Sequence, residues 1–383
     1  MSTSAHPSFP PLFPGMLLDA AARFAQDNAT TDLRASDTVR DMGWACTLVP
    51  EDAGGVGGSF ADLAAVIEGL ATHGVQLPVI ETCAVAPVLL QCAAPDVAAR
   101  WLQAVAEGSA VVAPLAALSA PLTDVALTAR PLDIGYALHG QLLGAELAPA
   151  ATHAVLAARL GTGEDDIALF VLERERIPAP TATYRTMEGR QGLDLQLDGL
   201  AVPAAACIAR GAAARAALAQ ADNAALLLTA VDTVAALGAM LQRTVTHLQE
   251  RRQFGVALAS FQALRHRTAD LYVRFLGARG LLMHAMALAT DAATPPDVLG
   301  RTLRLAKLSM AETARACAEG AIQMHGGMGM SEEVLATRLA QRLIASEFRY
   351  GDRLLHARQL QQTPTPAQTP AQAGASPQTR SAR

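Results

Sequence analysis

The residues with the most specific potential for chemistry form a short segment in the second half of the chain. It reads Arg251-Arg252-Gln253-Phe254-Gly255 and is followed by Ser260-Phe261-Gln262. A guanidinium at a helix end can bind a phosphate through its planar N–H donors, and a nearby phenylalanine ring can lie against an adenine. Gln262 can donate to a pyrophosphate oxygen or a base edge. The alternative is an ordinary polar loop between helices with one buried phenylalanine.

A second candidate segment, Gln323 to Met330, contains Gly326 and Gly327. Because glycine lacks a Cβ atom, the backbone can approach a ligand closely and successive N–H groups can hold a phosphate. A helix end followed by a turn would give the same pattern. The glycine-rich stretch Gly54 to Gly58 lies between helical segments and not after a strand, so it is predicted to be a loop.

The elements that must position these segments follow from hydrophobic periodicity, which predicts an α+β fold in three parts with a tail. Residues 1–110 form an N-terminal helical domain, because one helix face carries Leu63, Val66, Ile67 and Leu70. Residues 111–210 form a β domain of short apolar runs bounded by Gly, Pro or Asp. In the last of these runs, leucines 193, 195 and 197 alternate with polar residues, as in a half-exposed antiparallel strand.

Residues 211–360 are predicted to form a four-helix bundle, because long apolar stripes recur with short loops between them. The pair Pro295-Pro296 ends the second helix, and a third helix is expected over residues 298–324. Ser331 is the expected N-cap of the fourth helix. Residues 361–383 are rich in Pro, Gln, Thr, Ala and Ser and are predicted to be a disordered tail. Both candidate segments therefore lie at helix ends.

Composition excludes several classes of protein. The net charge of −5 argues against nucleic-acid binding and against binding to anionic membranes, both of which favour a basic excess. We find no apolar run of about 20 residues that would span a bilayer, and no export signal. The five cysteines are scattered without a C-x-x-C pair, so we expect no metal site and free thiols in a reducing cytoplasm.

Together, the two segments resemble the acyl-CoA dehydrogenase family. Arg251 to Gly255 with Phe261-Gln262 is similar to its RxQFG…FQ motif, and Gln323 to Gly329 is similar to its QxxGGxG motif. The stretch from Gly43-Trp44 to Gly57 is similar to the N-terminal part of the family. The sequences around Tyr184–Gly189, Leu197–Pro203 and Arg349–Asp352 are closest to the small subunits of bacterial two-subunit enzymes, of which pimeloyl-CoA dehydrogenase is an example.

This resemblance implies a helical domain, a β domain and a C-terminal four-helix bundle, with FAD between the β domain and the bundle. It implies an acyl-CoA substrate, an electron-transfer flavoprotein as electron acceptor, and a neighbouring subunit that completes the flavin site. That subunit is either a second acyl-CoA dehydrogenase-like chain or a copy of this chain. The residues that it implies for cofactor binding are Arg251, Gln253, Phe254, Phe261, Gln262, Gln323, Gly326 and Gly327.

The same resemblance implies a carboxylate that removes the α-proton of the thioester while hydride leaves the β-carbon for the flavin. In most members the base is a glutamate at the position that Tyr350 occupies in this chain. In a minority it is a glutamate at the position of Ala225. A phenol with a pKa near ~10 is a poor base at neutral pH. An acid–Arg pair that meets the substrate maps to Asn223 and Leu226. The β-domain motif beside the flavin is replaced by Ala113-Pro114-Leu115 and Leu122-Thr123-Asp124.

The catalytic residue is therefore unknown from the sequence. Asp222, Glu347 and Asp352 remain as carboxylates that could act as base, although each could equally be a solvated or capping acid. His325 could contact the flavin region, or it could be a packed or turn-capping histidine.

Three functions stay open. The first is an FAD-dependent acyl-CoA dehydrogenase subunit, in a hetero-oligomer rather than a self-sufficient homotetramer. The second is a scaffold or flavin-sharing subunit on the same fold without redox chemistry of its own. The third is a different flavin or CoA reaction, such as oxidation by O₂ or a non-redox elimination.

Overall fold

The computed structural model describes residues 9–29, 37–116, 118, 119, 121 and 124–362. It confirms the mixed α+β architecture, with helices at both ends of the chain and a β-sheet in the middle. The boundaries of the three domains remain predictions. Of the expected tail, Gln361 and Gln362 end the last helix, and residues 363–383 lie outside the described residues.

The first part is a cluster of short helices. They are α1 (Met16–Asp27), α2 (Thr38–Asp41), α3 (Phe60–Ala71), α4 (Ala86–Gln91) and α5 (Pro95–Ala106). The start of α3 is fixed by a capping box, in which Ser59 and Asp62 satisfy each other's backbone N–H groups. A π-helical turn, Ile80–Val85, runs directly into α4 and is buried along its length.

The middle part is an eight-stranded mixed sheet. Its strands are β1 (Val112–Leu115), β2 (Thr128–Leu132), β3 (Gly135–Ala145), β4 (His153–Arg159), β5 (Ile167–Glu173), β6 (Ala182–Arg185), β7 (Gln191–Pro203) and β8 (Cys207–Arg210). The order is β6-β7-β3-β2-β4-β5-β8, and β1 pairs in parallel with β4. The predicted alternation in β7 is present, because leucines 193, 195 and 197 are buried.

Strands β4 and β5 connect the sheet to the helices. On β4, Val155 and Ala157 belong to the core shared with the helices, whereas Ala154, Leu156 and Ala158 face a second core inside the β part. Because successive strand residues point to opposite faces, a strand between two cores is apolar throughout. This explains why β4 and β5 read as unbroken apolar runs.

The last part contains the predicted four long helices and a short fifth. They are α6 (Ala212–Glu250), α7 (Gln262–Thr290), α8 (Pro296–His325), α9 (Leu335–Ser346) and α10 (Arg353–Gln362). A small hairpin of β9 (Arg252–Gln253) and β10 (Val256–Ala257) joins α6 to α7. The expected cap at Ser331 is wrong, because α9 begins at Leu335. The Ser331 hydroxyl instead accepts from the Glu333 N–H within the preceding turn.

One helix among the described residues, α6, is long and apolar enough to cross a bilayer. The sequence contains no uninterrupted apolar run of this length, and the prediction rested on that observation. Helix α6 contains polar residues, but its mean hydropathy over an 18-residue window is 1.9, which is high enough for a membrane span. Of its most apolar window, 94% is buried inside the protein. This is the pattern of a core helix.

Candidate functional site

The first candidate segment is exposed at one end of the bundle. Arg251, Gln253 and Gln262 are all exposed, and the Phe254 ring is 90% exposed. Phe254 has a φ of 52°, a left-handed conformation that few residues other than glycine adopt. Its ring meets the edge of Phe261 at 6.3 Å between centroids. The alternative of a polar loop with a buried phenylalanine therefore does not hold at Phe254.

The second segment lies at the end of α8. Gln323, Gly326 and Gly327 are exposed, and Gly326 has a φ of 61°. A Cβ atom added at either glycine would meet no other atom within 4 Å, so the backbone faces open space. The segment is a helix end followed by a turn, which was the alternative to a ligand site. Its backbone is nevertheless open to a ligand at Gly326 and Gly327.

The fold brings the two segments to the same end of the bundle. His247 in the last turn of α6 stacks on His325 at the end of α8, with ring centroids 4.4 Å apart. His325 is thus a packed histidine, buried against the bundle. We name Arg251–Gln262 together with Gln323–Gly329 the cofactor end.

The residues of the cofactor end fit a nucleotide cofactor such as FAD. Arg251 offers charged donors, three exposed glutamine side chains offer neutral ones, and Phe254 offers a ring face. The eight candidates include no acid that would repel a phosphate. Their exposure suits a ligand shared with a neighbouring subunit, and their individual roles remain predictions.

Tyr350, the residue at the position expected for the base, lines a separate cavity of about 400 Å³ between the sheet and the bundle. Strand ends Pro114–Ala116 and Leu142–Glu146 line one side, and the turn Phe348–Gly351 lines the other. Glu81 from the π-helical turn closes the inner wall. The structure therefore places Tyr350 in a cavity.

The Tyr350 phenol is engaged inside this cavity. Its hydroxyl donates to Oε1 of Glu81 at 3.0 Å. Burial, followed by the Glu81 charge, raises the pKa of Tyr350 well above its ordinary value. A phenol that stays protonated cannot accept an α-proton near neutral pH, so Tyr350 does not supply the base.

Glu81 is the charged residue of this cavity that sequence reasoning missed. It is 7% exposed, forms an ion pair with Arg349, and lies 3.4 Å from Nη1 of Arg190. Burial alone would raise the pKa of Glu81, but the two arginines outweigh it and lower that pKa to about 2. A signal was available, since Glu81 is a lone acid in the apolar run Val79–Val85.

Further charged groups surround Glu81. Arg190 also pairs with Glu146 at 2.9 Å, and Arg342 pairs with Asp232 and donates to the Val75 carbonyl at 2.8 Å. Arg349 lies 4.0 Å from Asp232. We name this set the junction cluster, and its members are Glu81, Glu146, Arg190, Asp232, Arg342, Arg349 and Tyr350. These residues come from all three parts of the chain, so the cluster fixes the parts relative to one another.

The single lysine of the chain holds the turn that carries Tyr350. Lys307 Nζ donates to the carbonyl oxygens of Ser346 at 2.5 Å and of Arg349 at 2.7 Å. A cation at a helix C-terminus satisfies carbonyls that the helix leaves unpaired. Burial, with the nearby Arg349, lowers the pKa of Lys307 to about 7.

Each of the other carboxylates considered as base has a structural partner. Asp222 lies 2.5 Å from Nη2 of Arg304 and accepts from Ser119. Glu347 pairs with Arg315 at 2.6 Å and with Arg353 at 2.8 Å, and these contacts lower its pKa despite the opposing effect of burial. Asp352 accepts from the Leu355 N–H at 2.8 Å, at the start of α10.

The other positions at which the resemblance expects catalytic or substrate-binding side chains carry no acid or base. Ala225 is fully buried within α6 and has no polar atom in its side chain. Asn223 donates to the Pro296 carbonyl at 3.2 Å, and Leu226 is buried, so the substrate-facing acid–Arg pair is absent. Leu122 and Thr123 lie outside the described residues. The described residues contain no group of three or more His, Cys, Asp and Glu side chains that could hold a metal ion.

Comparison with known proteins identifies the chain. The acyl-CoA dehydrogenase N-terminal domain family matches residues 16–109, and the corresponding C-terminal domain family matches residues 214–362. The acyl-CoA dehydrogenase IpdE2 of Mycobacterium tuberculosis is 32% identical over 293 residues, which cover 76% of this chain and 74% of the relative.

Solved structures agree on the fold. Butyryl-CoA dehydrogenase of Megasphaera elsdenii superposes with a TM-score of 0.77 at 20% identity, covering 91% of this chain and 98% of the other. The ChsE4–ChsE5 complex of Mycobacterium tuberculosis gives 0.77 at 21% identity, covering 93% and 100%. The resemblance, the fold class and FAD as the cofactor are confirmed by these matches. The chain belongs to the acyl-CoA dehydrogenase family and is a flavin oxidoreductase of that type.

Proposed function

We propose that this chain is one subunit type of a hetero-oligomeric, FAD-dependent enzyme that dehydrogenates an acyl-CoA thioester between its α and β carbons. A partner subunit of the same family supplies the general base. The observation that carries the proposal is the Tyr350 phenol, which lies where the resemblance expects the base and donates a hydrogen bond to Glu81. FAD supplies the hydride acceptor when it is bound.

The cofactor end has the complementary role. Arg251 would bind phosphate, Phe254 would lie against the adenine, and the open backbone at Gly326 and Gly327 would admit the pyrophosphate. The exposure of all these groups supports a site that a second subunit completes. An electron-transfer flavoprotein is the proposed electron acceptor. The five free cysteines support a reducing cytoplasm as the location.

A second candidate function is a scaffold that binds no substrate and does no redox chemistry. It is favoured by one observation, which is that Glu81, Asp232 and Glu347 are all ion-paired with arginines that lower the pKa of each carboxyl group. A carboxylate held ionised between guanidiniums is a weak base.

The test uses the full chain alone and the full chain purified with the acyl-CoA dehydrogenase that a neighbouring gene encodes. Both are mixed anaerobically with a panel of acyl-CoA thioesters, and the bleaching of the flavin absorbance is followed. General-base catalysis typically contributes about 10²–10⁴-fold, so we expect the isolated chain to bleach slower by that factor. Fast bleaching by the isolated chain would overturn the missing base. A partner that is equally active without this chain would favour the scaffold.

A further inference from the structure

The cofactor end contains a pair of stacked imidazoles that no role above explains. The His247 and His325 rings lie 4.4 Å apart between centroids, with 20° between their planes. His325 is 7% exposed, and its Nδ1 lies 2.9 Å from the Ala321 carbonyl oxygen. This bond within α8 fixes the orientation of the ring.

Each ring belongs to the last turn of a helix, His247 just before Arg251 and His325 just before Gly326. The Arg251 N–H donates to the His247 carbonyl at 2.9 Å, so Arg251 follows His247 by one turn. His325 directly precedes Gly326, whose N–H donates to the Gln323 carbonyl. The stack is therefore a direct contact between the end of α6, which leads into the Arg251 segment, and the end of α8, which leads into Gly326 and Gly327.

The surroundings keep the contact favourable. Burial, then His325 and Arg251, lower the pKa of His247 and so favour the uncharged ring in the stack. Offset stacking of aromatic rings is worth about a 2- to 12-fold change in an equilibrium constant.

We propose that His247 and His325 are positioning residues for FAD, because their stack sets the separation between Arg251 and the Gly326–Gly327 backbone. A phosphate or pyrophosphate can be bound by both segments at once only if that separation matches the size of the group. The inference rests on the proposed assignment of the cofactor end.

The experiment measures FAD affinity on the full chain in its purified assembly, after removal and titration of the flavin. His247→Ala should weaken binding by about 2- to 12-fold, and His247→Phe, which keeps a ring, should restore it to within about twofold. His284→Ala is the matched control, because His284 is exposed on α7 away from the stack. Thermal unfolding of the flavin-free forms is measured in parallel, because a stack that is present without flavin also contributes to folding stability.

Two results would overturn the inference. One is equal FAD affinity for His247→Ala and His284→Ala, or no rescue by His247→Phe. The other is a flavin-free His247→Ala chain so largely unfolded at the titration temperature that its folded fraction accounts for the whole loss of affinity, since that shows a general packing role. His325→Phe provides a second variant if His247→Ala fails to fold. Arg251→Ala tests the proposed FAD site separately from the role of the stack. Unchanged FAD affinity in that variant would contradict the assignment of the cofactor end as the FAD site.

Discussion

The cofactor end and the junction cluster differ in almost every physical respect. At the cofactor end the family motifs are intact, the side chains are exposed, and Arg251 and Phe254 face open space. In the junction cluster the position expected for the base carries Tyr350, and the polar groups are buried and paired with one another. An exposed, unpaired donor is available to a ligand, whereas a buried, paired one already has its partner. The groups proposed to bind the cofactor are thus free to meet a ligand, whereas the groups around Tyr350 join the parts of the chain to one another.

The largest effect is expected from placing a carboxylate base in the cavity, which would remove the difference in catalytic groups between the two regions. Tyr350→Glu alone would place a second carboxylate against Glu81, and two like charges in one buried site suppress ionisation. The double variant Tyr350→Glu with Glu81→Gln removes the carboxylate at position 81 and provides one at position 350, so the number of carboxylates in the cavity stays the same. We expect the double variant, but not the single one, to bleach FAD faster with acyl-CoA, by up to about 10²–10⁴-fold.

Anaerobic stopped-flow mixing measures this gain, and Tyr350→Gln with Glu81→Gln controls for the lost pairing without providing a carboxylate. A gain in the single variant would contradict the proposed repulsion at Glu81.

The next effect is on folding stability. Glu81→Gln leaves Arg349 and Arg190 without their shared carboxylate, and breaking a buried ion pair from one side costs about 3–5 kcal/mol. Denaturant unfolding of the flavin-free chain measures the cost. Glu164→Gln is the matched control, because Glu164 is 84% exposed and pairs with Arg215 only at the surface, where such pairs are worth about 0–1 kcal/mol. Equal stability of the two variants would show that the junction cluster does not hold the parts together.

The junction cluster also predicts an acid-sensitive stability. The pKa of Glu81 is lower in the folded chain than its ordinary value of 4.5, so its stabilisation is complete above pH 4.5 and is lost as the pH falls towards 2. The difference between these values corresponds to about 3 kcal/mol. Unfolding free energies measured across this range should fall less steeply in Glu81→Gln than in the unchanged chain. Parallel curves for the two proteins would contradict the assigned pKa.

Sequence reasoning placed the two segments of the cofactor end correctly at helix ends but missed the junction cluster, for a physical reason. The two segments are short, and their local spacing carries the information. The contacts of Glu81 join residues that are 109 and 269 positions apart, to Arg190 and to Tyr350. Periodicity describes neighbours within a few turns and cannot indicate such pairs. The cap at Ser331 failed locally, because a serine can stabilise a turn as readily as a helix start.

At the cofactor end, the expected effect is on ligand affinity without a change in folding. Arg251→Ala removes a charge-assisted contact to phosphate, worth about 1.5–3 kcal/mol. We expect flavin occupancy of the purified assembly to fall while the unfolding temperature of the flavin-free chain stays the same. Arg252→Ala is the control, because it removes an equally exposed arginine at the next position. Unchanged flavin content in Arg251→Ala would contradict the assignment, and an equal loss in Arg252→Ala would indicate nonspecific charge.

The smallest effect is expected from a change that touches neither region. Residues 363–383 contain hardly any large apolar side chain, so they can bury little surface on folding. Removing them should leave the unfolding temperature and the FAD affinity unchanged, because α10 ends at Gln362 and keeps its contacts. Removal of residues 353–383 is the informative counterpart. It deletes α10 itself, including Arg353, which holds Glu347 at 2.8 Å, and the buried His356. We expect only this longer truncation to lower the unfolding temperature, and a drop in the shorter one would mean that the tail docks on the folded chain.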